Sequence, residues 1–244
     1  MEPIPVLVTA VGGGGLGEQL IKALRLASTP YRIIGTDMSL LSKGLAEVDH
    51  AERVPPARDP AFIPILLELC RRYRVRAVLC GSEAEIRVID RHREAFASSG
   101  LFLPIQPSSV LDICLDKVKT AAFIAGNGFH SPAYARITNK EELEAFPHLP
   151  AVVKPSVGGG GSANLFLAQT AEELRFFGEY LLKQCNEFIV QEYVGTPEEE
   201  YTAGVLLDMD GNLIHSIAVR RIILTALSNR LKEPNRSTLS LIHI

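Results

Sequence analysis

Residues 158–161 are four consecutive glycines, a run that the interior of neither a helix nor a strand accommodates well. Ordering such a run loses much backbone entropy and buries no side chain. The glycines sit in AVVKPSVGGGGS, residues 151–162. Ala151 to Val153 is a short β-branched strand that delivers Lys154 at its end, and Pro155 then stops the ladder. A loop of this composition is explained best where backbone N–H groups approach an anion closely. The lysine beside it adds a point charge of the sort that binds phosphate. In a P-loop the glycines precede the lysine and a helix follows. Here the lysine comes first, and another strand-like run, Asn164 to Ala168, comes after. The arrangement reads as a phosphate clamp on a β-hairpin, against the blander reading of a flexible surface hairpin with a solvated lysine.

The 244 residues are enough for one large or two modest domains with a real core. A hydrophobic content of 47% with 22% charged residues is that of an ordinary soluble globular chain. The net charge of −3 gives no reason to expect nucleic acid or an acidic membrane as partner. Cys70, Cys80, Cys114 and Cys185 are scattered, and the first three lie in apolar patterns, which predicts buried thiols in a reducing compartment. The histidines show no metal-ligand spacing. The N-terminus lacks a basic-then-apolar export signal, and no apolar run approaches the ~20 residues of a membrane span. A cytoplasmic protein is expected.

Strand and helix alternate through the first hundred residues. Pro5 to Ala10 is a buried-type strand, Val11 to Gly17 a loop, and Glu18 to Ala27 a helix with Leu20, Ile21, Leu24 and Ala27 at helical spacing. Strands at Tyr31 to Gly35, Glu52 to Val54, Ala77 to Cys80 and Leu101 to Leu103 follow, with one helix capped by Asp59 and another over Glu83 to Ala97. Repeated βα units predict a doubly wound parallel sheet with helices on both faces. A boundary falls at Gln106–Ser108, giving domains 1–107 and 108–244. Ser108 and Asp116 read as N-caps of two short helices, and an α+β pattern runs from Ala133 onward. Asp210-Gly211 is a hairpin turn, favoured over a calcium loop because Gly211 is misplaced and no acid closes the loop.

Two further signals compete for the function. Gly12, Gly14 and Gly17 satisfy G-x-G-x-x-G after a strand and into a helix, with Asp37 about twenty residues beyond, where a ribose-binding acid would sit. This supports an NAD(P)-dependent oxidoreductase; the alternative is a glycine-rich first turn kept for tight packing. Glu83 follows the end of a strand of the parallel sheet, where it either faces a ligand or caps its helix.

DKVKT (116–120), VVKPSVGGGGS, QEYVG (191–195) and EEYT (199–202) occur in the order and spacing of an ATP-grasp enzyme. More narrowly, the chain resembles ATP-grasp proteins similar to the carbamoyl phosphate synthetase large subunit. The resemblance implies a Rossmann-like pre-ATP-grasp domain and then an ATP-grasp domain, with a lid over about 116–187 and the start of a C-terminal lobe from about 188. It implies that Lys117 and Lys154 reach ATP phosphates and that Gly158, Gly159, Gly160, Gly161 and Ser162 fold over them. Gln191, Glu192, Tyr193 and Val194 would border the adenine, with Glu192 meeting its amino group, and Glu200 or its neighbour Glu199 would bind ribose. Gly14, Glu83 and Arg220 are the candidates for contact with the second substrate. The implied reaction uses ATP and Mg²⁺ to activate a carboxylate as an acyl phosphate, which an amine captures to form a C–N bond. The implied partners are ATP and a small carboxylate–amine pair, and a homo-oligomer is compatible with them. The tail TLSLIHI shows no cap, turn or partner, and the sequence reads as ending inside the C-terminal lobe, before the magnesium ligands. Residues 1–244 alone are therefore expected to be inactive; a non-catalytic nucleotide-binding protein is the other alternative.

Overall fold

Val6 and Val8 alternate with Leu7 along one strand, and both sets are fully or nearly fully buried. A strand that is apolar on both faces demands cover on both faces, which is the signature of a doubly wound sheet. The computed structural model describes residues 2–12, 15–158, 164–196, 199–223 and 237–241, with backbone alone for 221–223 and 237–241. The chain forms two units, residues 1–112 and 113–244.

In the first unit, β1 (Ile4–Val8), β2 (Tyr31–Asp37), β3 (His50–Arg53) and β4 (Ala77–Leu79) form a parallel sheet in the order β3-β2-β1-β4. Val6, Val8, Val11 and Ile33 pack with Ile21 of α1 (Leu16–Leu26) on one face. Leu7, Ile34 and Val78 pack on the other face with Phe62 and Leu66 of α2 (Phe62–Tyr73), Ile89 of α3 (Glu83–Arg91) and Phe96 of α4 (Arg93–Ser98).

The expected single helix over 83–97 is two helices. The His92 ring Nδ1 lies 2.9 Å from the Val88 carbonyl, which would otherwise accept the His92 N–H, and that N–H bonds Ile89 instead. Such back-bonding competes with the helix and breaks it. The expected strand Leu101 to Leu103 shrinks to a single bridge between Ala77 and Phe102. Pro104 follows at once and has no N–H to extend the ladder.

The glycines after β1 are there for packing. A Cβ on Gly17 would collide with the Ala10 and Thr9 carbonyls, one on Gly81 with the Thr9 carbonyl and the Gly17 Cα, and one on Gly12 with the Ser42 side chain. Cys70 and Cys80 are buried, and burial pushes both thiols up to about 12. Cys114, expected to be buried, is exposed: it ends α5 (Ser108–Cys114), which at seven residues buries only Leu111.

In the second unit, β5 (Tyr134–Ile137), β6 (Ala151–Pro155), β7 (Phe166–Ala168) and β8 (Phe188–Glu192) form an antiparallel sheet in the order β5-β8-β6-β7. α7 (Lys140–Glu144) and α8 (Ala171–Leu182) cover one face. Asn139 and Thr170 cap these helices, and Glu142 and Glu173 reach back to the Thr138 and Gln169 amides. The arrangement is that of a capping box displaced by one residue, because each acid takes the amide just before the cap rather than the cap's own. α6 (Lys117–Gly126) contacts β5 and β8. A separate antiparallel sheet runs β11-β10-β9, from β9 (Tyr201–Leu207), β10 (Leu213–Ile223) and β11 (Ser237–Leu241). The tail read as partnerless is thus a strand, paired from Ser237↔Ile223 to Leu241↔Val219. Asp208 closes the β9–β10 turn by accepting from the Asp210 and Asn212 amides and the Asn212 side chain, and Gly211 takes a φ of 85°.

Replacing Gly81 by Ala should destabilise the chain by about 1–3 kcal/mol, because the clash is with backbone that cannot rotate away. Gly126, at the exposed end of α6 with nothing within 4 Å of its missing Cβ, should accept Ala neutrally or gain up to about 1 kcal/mol. Urea denaturation of the two variants checks the contrast; equal effects would contradict it.

Candidate functional site

Strand alternation decides which side chains meet on the second unit's sheet. Ala151 and Val153 of β6 face the core with Phe188 and Val190 of β8. Val152 and Lys154 therefore face the other way, together with Ile189 and Gln191. Lys154 Nζ donates to Gln191 Oε1 at 3.1 Å, and among the described residues no carboxylate pairs with it. Burial, and then the Lys117 charge, push the Lys154 ammonium below its ordinary value. An ammonium held this way, without a counter-ion, is poised for an incoming anion.

Lys117 is brought to this place by the residue before it. Asp116 is the N-cap of α6, accepting from the Val118 amide at 2.9 Å and the Lys119 amide at 3.2 Å. The same carboxylate oxygen accepts from the hydroxyl of the fully buried Ser156 at 2.5 Å, just beyond β6. The Lys117 N–H donates to the Ser156 carbonyl at 2.9 Å, and Asp116 bridges Val157. These contacts join the start of α6 to the end of β6, and Lys117 Nζ then reaches the Gly158 carbonyl at 2.7 Å. Burial raises the Asp116 carboxyl, but the Ser156 hydroxyl, the Lys119 and Val118 amides and the Lys119 charge outweigh it and hold it low. Sequence reading took Asp116 for a cap and missed its link to Ser156, which joins residues forty apart in the chain.

Gly158 takes a φ of 78° with open space where a Cβ would be. Gly159, Gly160, Gly161, Ser162 and, in the first unit, Gly14 lie outside the described residues. Lys117, Lys154, Gly158 and Gln191 are thus brought together; the other candidates are placed differently. Glu192 lies on the core-facing register of β8, opposite Ala151, and its Oε2 accepts from the Ala133 amide at 3.2 Å. Tyr193 is half-buried and its N–H is bonded to Pro150, while Val194 is exposed. Glu199 closes a turn with Thr196, and the half-buried Glu200 leads into β9. Arg220 is exposed on β10, across from Tyr201 and Ser240.

At the carboxyl ends of the first unit's strands, the acid read in the sequence has a buried neighbour that the sequence reading missed. Glu83 is exposed, whereas Glu85 is buried and accepts from Thr9 Oγ1 at 2.6 Å and Ser82 Oγ at 3.0 Å. Burial raises the Glu85 carboxyl, the two hydroxyls oppose this, and the Asp37 charge adds to the rise. Position in the Ser-x-x-Glu spacing, with Ser82 as N-cap, was the signal available for Glu85. Asp37 accepts from the Gly12 amide and the Ser39 amide, both at 2.9 Å, so its two oxygens tie the glycine loop to the end of β2. Among the described residues no cluster of three or more His, Cys, Asp or Glu could hold a metal ion, and no helix is long and apolar enough to cross a membrane.

A doubly wound parallel domain followed by an antiparallel α+β domain, with lysines converging on a glycine loop, is the architecture of ATP-grasp proteins. Residues 114–232 match the family model described as the ATP-grasp domain, and residues 6–103 match the PylC-like, N-terminal domain. The chain thus carries a PylC-like N-terminal domain followed by an ATP-grasp domain. It is 25% identical over 201 residues to the uncharacterized protein y4rH of Sinorhizobium fredii, covering 79% of this chain and 40% of the relative. It is 31% identical over 114 residues to the carbamoyl phosphate synthase large chain of Thermoplasma volcanium, covering 44% of this chain and 11% of the relative. Among solved structures, the ADP complex of N5-carboxyaminoimidazole ribonucleotide synthetase aligns with a TM-score of 0.69 at 20% identity, over 93% of this chain and 58% of that one. At this identity the likeness is one of fold. The chain spans less than two thirds of the length of each of these three relatives.

Asp116→Ala should cost about 1–3 kcal/mol, from the lost cap and the stranded Ser156 hydroxyl. Because folding holds the Asp116 carboxyl below its ordinary value, its contribution is full at neutral pH and is lost as pH falls through the depressed folded value. The stability difference between wild type and Asp116→Asn, read by urea denaturation, should therefore be larger at pH 7 than at pH 3. A difference independent of pH would contradict this.

Proposed function

We propose that the chain is the ATP-binding part of a carbon–nitrogen ligase, and that its second unit binds the nucleotide through Lys117, Lys154 and the loop 158–162. The observation that supports this most is the half-buried Lys154, whose charge is pressed by Lys117 and whose one partner among the described residues is the Gln191 amide oxygen. Two cations held together without a carboxylate on Lys154 repel each other until an anion arrives, so phosphate binding relieves an existing cost. In this reading residues 108–244 are the ATP-grasp domain, with a lid to about 187, and residues 1–107 the Rossmann-like domain before it.

Bound ATP with Mg²⁺ supplies the phosphoryl group that activates a carboxylate for capture by an amine. The chain's own residues hold and orient it. Lys117 and Lys154 take the phosphates, and the glycine loop offers amides without side chains in the way. Because the Glu192 carboxylate is engaged by Ala133, we assign the base edge to the backbone of 192–194 rather than to that side chain, with Gln191 between base and phosphates. Glu200 takes the ribose hydroxyls, and Gly14, Glu83 and Arg220 remain candidates for the second substrate. Work in the cytoplasm accords with the buried free thiols Cys70 and Cys80.

Titration of ATP with Mg²⁺ into wild type and Lys154→Ala tests the assignment. The variant should bind about tenfold or more weaker, on the order of 1.5–3 kcal/mol for a lost charge-assisted bond. Lys117→Ala should lose a comparable amount, and equal affinities would remove the lysines from the site. NAD and NADP, titrated in parallel, should not bind, because Asp37 and Ser42 pack directly on Gly12 where a cofactor would enter. Micromolar NAD affinity abolished by Asp37→Arg would favour an oxidoreductase instead.

A further inference from the structure

The first unit carries a second recess, at the end of its sheet opposite to Thr9, Asp37 and Ser82. Its wall includes Ile4, Tyr31, His50 and Ala77, the first residues of all four parallel strands, and it encloses a cavity of about 1160 Å³. That volume is at or above the usual range for a small-molecule pocket. Open α/β sheets bind their ligands at the carboxyl ends of the strands, so the fold gives no reason for a pocket here.

The charge of the wall is one-sided. Arg32, Arg72, Arg74 and Arg76 line it against a single acid, Glu2. Arg72 is neutralised by Glu52 at 3.3 Å and Glu68 at 3.0 Å. Among the described residues the other three arginines have no carboxylate partner. Arg32 donates to the Tyr73 carbonyl at 3.0 Å, while its buried Nε has no acceptor. Arg74 and Arg76 flank the buried Val75, are both exposed, and contribute to the wall of this recess and of a neighbouring one beside α2.

Arg74 also sits where the backbone prefers another residue. It terminates α2 in the left-handed conformation, with φ 54° and ψ 41°, a position that favours Gly or Asn. The backbone there closes the helix, with the Arg74 N–H reaching Arg71 at 3.3 Å and the Val75 N–H reaching Cys70 at 2.9 Å, while the Arg74 side chain makes no ion pair among the described residues. Beside the cations lies an aromatic wall. The His50 and Tyr73 rings pack with centroids 4.7 Å apart, and Phe102 leaves half its surface open.

We propose that this recess binds a small organic anion bearing an aromatic or heteroaromatic ring. Arg74 and Arg76 take its phosphate or carboxylate, Arg32 adds positive potential from behind the wall, and the ring lies against Phe102 and the His50–Tyr73 pair. Guanidinium groups match either anion bidentately, so the two share one recognition chemistry.

Titrating AMP, benzoate and inorganic phosphate into the full ¹⁵N-labelled chain, with the amides of Val75, Ala77 and Phe102 as reporters, tests this and separates the two anions. AMP or benzoate should move these signals saturably, and phosphate alone should bind roughly tenfold or more weaker for lack of a ring. Arg74→Gly suits the left-handed backbone, so its melting temperature should hold or rise, while Arg76→Gln changes only an exposed side chain. Each should weaken the organic anion about tenfold at these reporters, with ATP binding read at the amides of Lys154 and Gln191 unchanged. No saturable shift at ~10 mM, phosphate binding as tightly as the ringed anions, or unaltered affinity in both variants would overturn the proposal.

Discussion

The carboxylate of Asp116 is the interaction on which the site depends. A single oxygen accepts from two helix amides and from the hydroxyl of Ser156. Without it, the start of α6 would have unpaired N–H groups and the buried Ser156 an unpaired hydroxyl, both costly. With it, the residue after the cap and the last strand residue before Pro155 lie at one place, and these are Lys117 and Lys154. Two like charges are thereby held close, and among the described residues no carboxylate pairs with Lys154 to offset the Lys117 charge beside it.

The chain uses glycine in two physically opposite ways. Gly12, Gly17 and Gly81 lie where a Cβ would strike side chain or backbone, and they let β1, α1 and the loop after β4 close on one another. Gly158 has nothing near its missing Cβ and a positive φ. The first set makes a packed floor, while Gly158 stands in open space with its carbonyl on Lys117. Both look alike as letters, and the G-x-G-x-x-G spacing carried a dinucleotide reading for that reason. Asp37, the acid that would have held a ribose, instead accepts from the Gly12 and Ser39 amides.

The second sheet of the ATP-grasp domain shows a different constraint. Tyr201, Val205, Leu206, Leu207, Leu213, Ile214 and Ile217 on β9 and β10 are all exposed, on both registers of the hairpin. β11 adds ladder bonds to β10, yet hydrogen bonding along a sheet covers edges and not faces. The hairpin's alternation was legible from Asp210-Gly211 and the flanking apolar runs, whereas the pairing of the tail was not, because nothing local in TLSLIHI names its partner.

What the sequence determined by itself is local and ordered. Strand and helix alternation established the parallel domain, the cap at Asp116 marked a helix start, and a lysine ahead of four glycines distinguished this loop from a P-loop. The caps at Asn139 and Thr170 emerged only with the structure, whereas the other readings rest on contacts within a few residues, which a linear string records. The tertiary structure decided the matters that depend on distant neighbours. His92 broke a helix whose periodicity was continuous, Glu85 rather than Glu83 was buried against Thr9, and Glu192 turned to Ala133 while Gln191 turned to Lys154. A one-residue difference reverses the face of a strand or rotates a helix position by about 100°. Which face is buried is set by the elements that pack there, and their identity is not written beside the residues they cover.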